Sequence, residues 1–439
     1  MDQVRKKNVK LLILALISVL SLSIGHAFNN QILLLGSLLL FAGVALVPHK
    51  KYFLPIMLFY LPWSPVLKTN PGTLTLFTLV VPCVFLLMIL NGSTKSISSK
   101  VHIFLPLFFI AYTLVVKMLK GLSIDMSYLF FIMMLFFIPI YVNRYRKEMD
   151  FETCVLYLTA GVLSACIAAK ILMNFPHMLE YIDVYEWKNI GLTRLSGFYG
   201  DANFYSANIL VAIGSLQIVM YKTRNKTLIA FQIFSIMALL YYGMLSVSKM
   251  FIICIALIAV LWMFCLLLGK RNFSYKIGMV LTIFLVVGIA VASNLFSEQF
   301  GLYLLRFGMV TDTQSLTTGR SGLFDMYINY LFSSNLRLFF GVGLSSLEFV
   351  NERASHNTLI QSIYQVGAIG SVFLIVWWGM VYSSLSNKVK LGTFEKYYFL
   401  ILIIAYFFSW FSLDMLFFDE FFYITLLSIL AKNYLATNH

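Results

Sequence analysis

An all-α integral membrane protein is the fold class this sequence predicts, and three observations carry the reading. Of 439 residues, 60% are hydrophobic and 11% charged, with a mean hydropathy of +0.87, whereas soluble domains carry about 25% charged residues. Apolar runs of near-span length recur from end to end, so the repeating unit is the membrane helix and residues 1–439 form one polytopic domain. The basic residues gather between alternate runs, the pattern the positive-inside rule produces.

The runs fall at 10–28, 31–47, 52–67, 73–90, 101–119, 127–142, 151–174, 203–221, 227–245, 249–268, 277–295, 357–385, 397–413 and 417–434, predicting about fourteen transmembrane helices. The first follows Arg5, Lys6, Lys7 and Lys10, but it is long for a signal peptide and GHAF offers no small-x-small cleavage site, so it reads as a retained helix. With the N-terminus in the cytoplasm, the same side receives Lys50 and Lys51, Lys95 and Lys100, Arg144, Arg146 and Lys147, Lys222, Arg224 and Lys226. It continues with Lys270, Arg271 and Lys276, then Lys388, Lys390 and Lys396, and Lys432. That side holds 21 of the 32 Lys and Arg but five of the 18 acids, so both termini are expected to be cytoplasmic. The net charge of +14 is therefore mostly a topology signal, and no nucleic-acid partner is expected. Cys83, Cys154, Cys166, Cys254 and Cys265 lie in or at the ends of apolar runs without CxxC spacing, which predicts neither a disulfide framework nor a metal site.

Two predicted outer segments, 175–202 and 296–356, far exceed the median loop of about 4–6 residues, and function is expected there. Within the second, GLFDMYINYLF (322–332) places apolar residues at helical spacing with Asp325 and Asn329 on one face, predicting an interfacial helix. Eleven Lys and Arg remain on the outer side against the topological bias. Some serve simply by snorkelling or pairing with outer acids, but three stand in more informative settings. Lys249 opens a span after a very short outer turn, where charge is costly. Arg194 precedes the eighth run in TRLSGFYGDANFYS, whose Gly197 and Gly200 allow close approach of backbone to a ligand. Arg320 precedes the interfacial helix. Together they offer cations to one anion at headgroup level, and the arginine fork suits phosphate.

His356, in ERASHNTLIQ, alone among the outer histidines His26, His177 and His356 combines its placement with a helix start, for which Ser355 is the expected N-cap. The N-terminal end of a helix disfavours imidazolium and keeps the ring neutral, as a general base must be. Glu352 is the candidate to orient the ring, with Arg353 and Asn357 as secondary candidates. The plainer reading is a polar interface histidine. No Ser/His/Asp arrangement, HExxH, Walker loop or dinucleotide fingerprint is present, and the outer carboxylates are not clustered, so neither metal nor cofactor is expected.

The stretches RLSGFYGDANFYSANI (194–209), LSVSKMFIICIAL (245–257), TTGRSGLFDMYINYLFSSNLRLFFGVGL (317–344) and SHNTLIQSIYQVGAIG (355–370) cover about the second half of the chain. In these pieces and their order, the sequence resembles the O-antigen ligase and O-antigen or capsule polymerase superfamily of bacterial membrane glycosyltransferases. The resemblance implies a multi-pass protein of the bacterial cytoplasmic membrane that catalyses inverting, metal-free glycosyl transfer at the outer (periplasmic) face. Its donor would be a polyprenyl diphosphate-linked glycan and its acceptor a sugar hydroxyl. It implies His356 as catalytic base and Arg320 and Arg194 as the diphosphate grip. Lys249 stands where the family commonly has arginine after serine, and it keeps the charge without the fork. Expected partners are the lipid-linked donor, the glycan acceptor, the bilayer, a chain-length regulator and a flippase. A polymerase of lipid-linked repeat units is the first reading, and a ligase passing finished glycan to another acceptor is the alternative. A polyprenyl-glycan flippase or other transporter is the third, disfavoured because the polar residues concentrate in outer loops and not between related halves at the midplane.

Overall fold

The computed structural model describes residues 2–48, 50–70, 74–90, 100–182, 185–187, 192–269, 272–294, 296–311, 317, 319–345, 349–386 and 390–437. His49, Lys95, Lys188, Lys270, Arg271, Lys388 and His439 lie outside them, as do 183–184, 188–191, 312–316, 318 and 346–348 of the two long outer segments. Helices α1 (Asp2–Ala27), α2 (Gln31–Leu46), α3 (Phe53–Tyr60), α4 (Leu76–Leu90), α5 (Val101–Leu119), α6 (Met126–Tyr145) and α7 (Phe151–Leu172) form the first half. A two-stranded antiparallel hairpin follows, β1 (Tyr185–Trp187) and β2 (Leu192–Arg194), with Tyr185 opposite Arg194. Then come α8 (Ala202–Lys222), α9 (Lys226–Met244), α10 (Lys249–Leu268), α11 (Phe273–Ala292) and the short α12 (Ser297–Gly308), α13 (Arg320–Phe332) and α14 (Asn335–Phe340). Helices α15 (Thr358–Leu385), α16 (Thr393–Phe407) and α17 (Asp419–Ala436) complete the chain.

Among the described residues, nine helices are long and apolar enough to cross a membrane, or ten if the pair Gln31–Leu46 and Lys50–Val66, bent by 114°, is one span. Each of the fourteen apolar runs is helical, but not all have the form of a full span. At 15 residues α4 is short of a hydrocarbon core about 30 Å thick, and α17 carries Asp419, Glu420 and Lys432 within 18 residues. The run 52–67 breaks for a local reason: Pro62 and Pro65 cannot donate backbone hydrogen bonds, and α3 gives way to a 3₁₀ stretch, Leu61–Val66.

Helix α8 is the axis of the bundle. Residues Ala202 to Met220 are all buried, and they include Asn203, Ser206, Asn208, Ser215 and Gln217. Small and polar residues are what allow helices to pack closely where lipid supplies no hydrophobic drive between them. Peripheral helices instead bury one stripe, such as Pro106, Phe109, Thr113 and Val116 of α5, while Phe104, Leu107 and Phe108 face outward.

The described residues of the long segment 296–356 fold onto the bundle. Helix α13 buries Leu323, Tyr327 and Leu331 at four-residue spacing, leaving Asp325 and Asn329 exposed, as its periodicity predicts. Gly341, Gly343 and Gly367 build the seam beneath it. Helix α15 breaks at Gly367, whose φ of 68° and ψ of 178° are non-helical, and the freed backbone pairs with the glycine turn. Val342 donates its N–H to the Tyr364 carbonyl (2.7 Å) and Gly343 to that of Gln365 (2.9 Å). Lys117, 2% exposed, donates to the Leu344 carbonyl at 2.8 Å, and Lys120 donates to that of Gly341. These two cations, anomalous for topology, thus cap carbonyls that the turn leaves without helical partners.

A Cβ at Gly367 would stand 2.2 Å from the Phe339 carbonyl oxygen, and a left-handed backbone costs a non-glycine residue about 1–2 kcal/mol even without a clash. Gly367→Ala is therefore expected to destabilise by about 2 kcal/mol or more, whereas Gly379→Ala, where a Cβ meets nothing within 4 Å, leaves the apparent melting temperature of the detergent-purified protein unchanged.

Candidate active site

Four interhelical segments converge on one site, and the first is built around the turn between α9 and α10. Leu195, just after β2, donates its N–H to the Leu245 carbonyl at 3.0 Å, and Arg194 donates Nε–H to the Ser246 carbonyl, also at 3.0 Å. Arg306, from the buried face of α12, donates to the next carbonyl, that of Val247. Ser248 caps α10 and donates its hydroxyl to Asn203 Oδ1 at 2.7 Å, which ties the turn to the first turn of α8. Lys249 follows immediately, its Nζ 5.8 Å from the centre of the Phe307 ring and within the field of Arg306. Val247 holds φ at 45°, an outlier for a β-branched residue.

The second cation group is reached through Asp201. Its carboxylate caps α8, Oδ1 accepting from the N–H of Asn203 (2.6 Å) and of Phe204 (3.4 Å). Arg320, opening α13 after Gly319 in the left-handed conformation (φ 81°), lies within the fields of Asp201, Arg194 and Asp414. Burial, only partly offset by Asp201, makes its charge more costly and lowers its pKa. Among the described residues no group hydrogen-bonds the Arg320 guanidinium.

His356 completes the site, and Asp414 shapes it. One Asp414 carboxylate accepts from the Ser355 hydroxyl at 2.5 Å, the Asn357 N–H at 2.9 Å and the His356 N–H at 3.2 Å. Thr358 donates its hydroxyl to the Leu413 carbonyl (2.7 Å) and accepts from the Met415 N–H (3.0 Å), lacing the loop before α15 to the loop before α17. The lacing bends His356 to φ 49°. Its imidazole is half-buried and hydrogen-bonded by no described residue. Its pKa is lowered first by burial and then by Arg320, against Asp414 and Asp201, which raise it. The ring is thereby held neutral at neutral pH.

Arg194, Arg320 and His356, far apart in sequence, therefore come together, with Lys249 on the Arg306 side. Two expectations need correction. Asn357, not Ser355, caps α15, its side chain accepting from Leu359 and Ile360 N–H; Ser355 is committed to Asp414. Glu352 is exposed and is not among the charges that act on His356; Asp414 fixes that segment instead. Arg353 is likewise exposed, contributing its carbonyl to the Tyr327 hydroxyl at 2.6 Å. Gly197 serves packing, since a Cβ there would stand 2.5 Å from the Tyr205 ring.

Sequence reasoning passed over Asp201, Arg306 and Asp414. Asp201 sits inside the stretch GDANF at a helix start, an N-cap pattern. Asp414 is an acid in the short link between the last two apolar runs, so its place between two helices is readable but its partner is not. The described residues contain no group of three or more His, Cys, Asp and Glu that would hold a metal ion. The chain matches no protein-family profile and no curated protein.

Histidine-selective NMR titration in detergent micelles, assigned with His356→Ala, is expected to place the His356 pKa below the usual value of about 6.5. Arg320→Gln removes a repelling cation and moves that pKa upward; no movement would mean that the two groups do not share a field.

Proposed function

We propose that the chain is a polysaccharide polymerase joining polyprenyl diphosphate-linked oligosaccharide units at the outer face of a bacterial cytoplasmic membrane. The observation that carries this reading is an imidazole and a guanidinium that act on each other electrostatically and that no described residue hydrogen-bonds, with Arg194 acting on the same guanidinium. A base that accepts a proton and cations that accept developing negative charge are the two things glycosyl transfer from a diphosphate needs. The chain would cross the membrane about fourteen times with both termini cytoplasmic, which is supported by the distribution of basic residues.

In this mechanism the His356 imidazole takes the proton of an acceptor hydroxyl as that oxygen bonds to the donor anomeric carbon. The bond from that carbon to the diphosphate breaks on the opposite face, inverting the configuration, and its electron pair stays on the diphosphate. Arg320 faces the leaving group with its fork uncommitted, and Arg194, already positioned by the Ser246 carbonyl, adds charge beside it. Lys249 and Arg306 extend the positive field along the turn. No step requires a metal.

A ligase that transfers finished glycan to a different acceptor would use the same groups, and the assay separates the two. Purified protein given lipid-linked repeat units alone is expected to produce a ladder of products; strict dependence on a second acceptor assigns a ligase instead, and translocation without transfer ends the reading. His356→Ala is expected to lower the rate by about 10²- to 10⁴-fold. Arg320→Ala should weaken donor use far more than Arg320→Lys, an equal loss pointing to the fork and not the charge. Activity should persist in EDTA.

A further inference from the structure

A closed circuit of contacts places an exposed aromatic ring at the edge of this site. Asp414 holds the His356 segment; four residues on, after a turn closed by Phe418 N–H to the Met415 carbonyl at 3.1 Å, comes Phe418. Its ring packs on Phe204 with centroids 4.2 Å apart, and Phe204 in turn is nearly parallel to Tyr199 at 6.2 Å. The Phe204 N–H is held by Asp201, and Asp201 acts back on His356 and Arg320. Phe204 is 8% exposed, whereas Phe418 is 41% exposed, so a buried ring braces an open one.

The carboxylate in this circuit has spare capacity. Both backbone donors at Asp201 go to Oδ1, and among the described residues Oδ2 accepts no hydrogen bond. A carboxylate oxygen that accepts hydroxyls beside an aromatic face is a chemistry suited to a sugar ring: its axial C–H groups, slightly positive, lie on the negative face of the ring while a hydroxyl reaches the acid. The cations grouped around Arg320 and Arg194 suit the donor's diphosphate, and they leave the aromatic side of the site for the acceptor, whose reacting end is a sugar hydroxyl and not a phosphate.

We infer that Phe418, braced by Phe204, and Asp201 Oδ2 form the acceptor-sugar subsite, presenting the attacking hydroxyl to His356. Asp201 takes a hydrogen bond from the acceptor and positions it, and the proton leaves through His356. The inference rests on the transferase reading. An isoprenoid or bilayer chain lying on Phe418 is the competing occupant, and ring geometry separates the two, because a lipid contact needs only apolar bulk.

The test uses the full chain in nanodiscs and two probes. One is the lipid-free oligosaccharide released by mild acid from the producing cells' lipid-linked repeat units, its binding followed by saturation-transfer NMR. The other is sugar-free polyprenyl diphosphate, followed by native mass spectrometry. Phe418→Leu keeps bulk but removes the flat face and is expected to weaken the oligosaccharide about tenfold while leaving polyprenyl diphosphate binding unchanged; Phe418→Trp retains both. Asp201→Asn preserves the helix cap, since asparagine caps as well as aspartate, and is expected to weaken the oligosaccharide while the protein stays folded. Oligosaccharide binding unchanged in Phe418→Leu overturns the subsite, and loss of polyprenyl diphosphate binding in Phe418→Ala but not in Phe418→Leu assigns the ring to lipid. If the wild type makes a polymer ladder yet shows either result, only the subsite falls; if it makes no transfer product with any acceptor, the transferase reading falls first.

Discussion

The Asp414 carboxylate is the fixed point about which the site is arranged. It accepts three donors from consecutive residues, at 2.5, 3.2 and 2.9 Å from Ser355, His356 and Asn357. Hydrogen bonds to a charged acceptor each contribute about 1.5–3 kcal/mol, enough together to offset the roughly 1–2 kcal/mol of a left-handed histidine. The chain enters α15 two residues later than a Ser355 cap would give, with Asn357 at the cap. Because Asp414 leads directly into α17, the position of the base is tied to the packing of the last helix.

Cation placement follows a different rule. Arg194 and Arg306 are held by successive main-chain carbonyls of the 246–247 turn, and among the described residues the salt bridge is Lys51 with Glu148, remote in sequence from this site. A carbonyl fixes a guanidinium without cancelling its charge. A carboxylate within bonding distance would hold it as firmly and leave little field for an anionic ligand. Asp201 and Asp414 sit near enough to moderate the Arg320 charge, while Asp201 Oδ1 caps α8 and Asp414 accepts from the Ser355 hydroxyl and two backbone N–H groups.

Local signals in the sequence were reliable where local physics decides. The face of α13, with Leu323, Tyr327 and Leu331 inward, follows from its period, and the proximity of His356 to a helix start follows from the run it precedes. What sequence spacing could not give were couplings between distant segments. Asp414 and His356 are 58 residues apart, and either Ser355 or Asn357 satisfies N-cap chemistry until a tertiary carboxylate claims one of them. Glu352 was attractive because it lies one helical turn before the histidine, but the segment between them is not helical: Asn351 and Glu352 both have positive φ, which turns the acid outward. In the first half, length alone marked 52–67 as a span, whereas Pro62 and Pro65 end the α-helix within it.

Left-handed backbone recurs around the site, at glycines and at non-glycine residues alike. At Gly319, Gly341 and Gly367, with φ of 81°, 68° and 68°, the chain uses the residue that takes this conformation without strain. At Val247 and His356, with φ of 45° and 49°, it does not, although glycine would relieve the strain at both. Val247 is 1% exposed, so its side chain fills the core beneath the carbonyl that holds Arg306. His356 supplies the imidazole itself. Strain persists only where surrounding bonds over-determine it, and here those bonds are the Ser246 and Ser248 capping network on one side and Asp414 on the other. The two segments that bring cation and base together are thus each held by several hydrogen bonds to the protein itself, and a preorganised site stabilises developing charge without reorganising during the reaction.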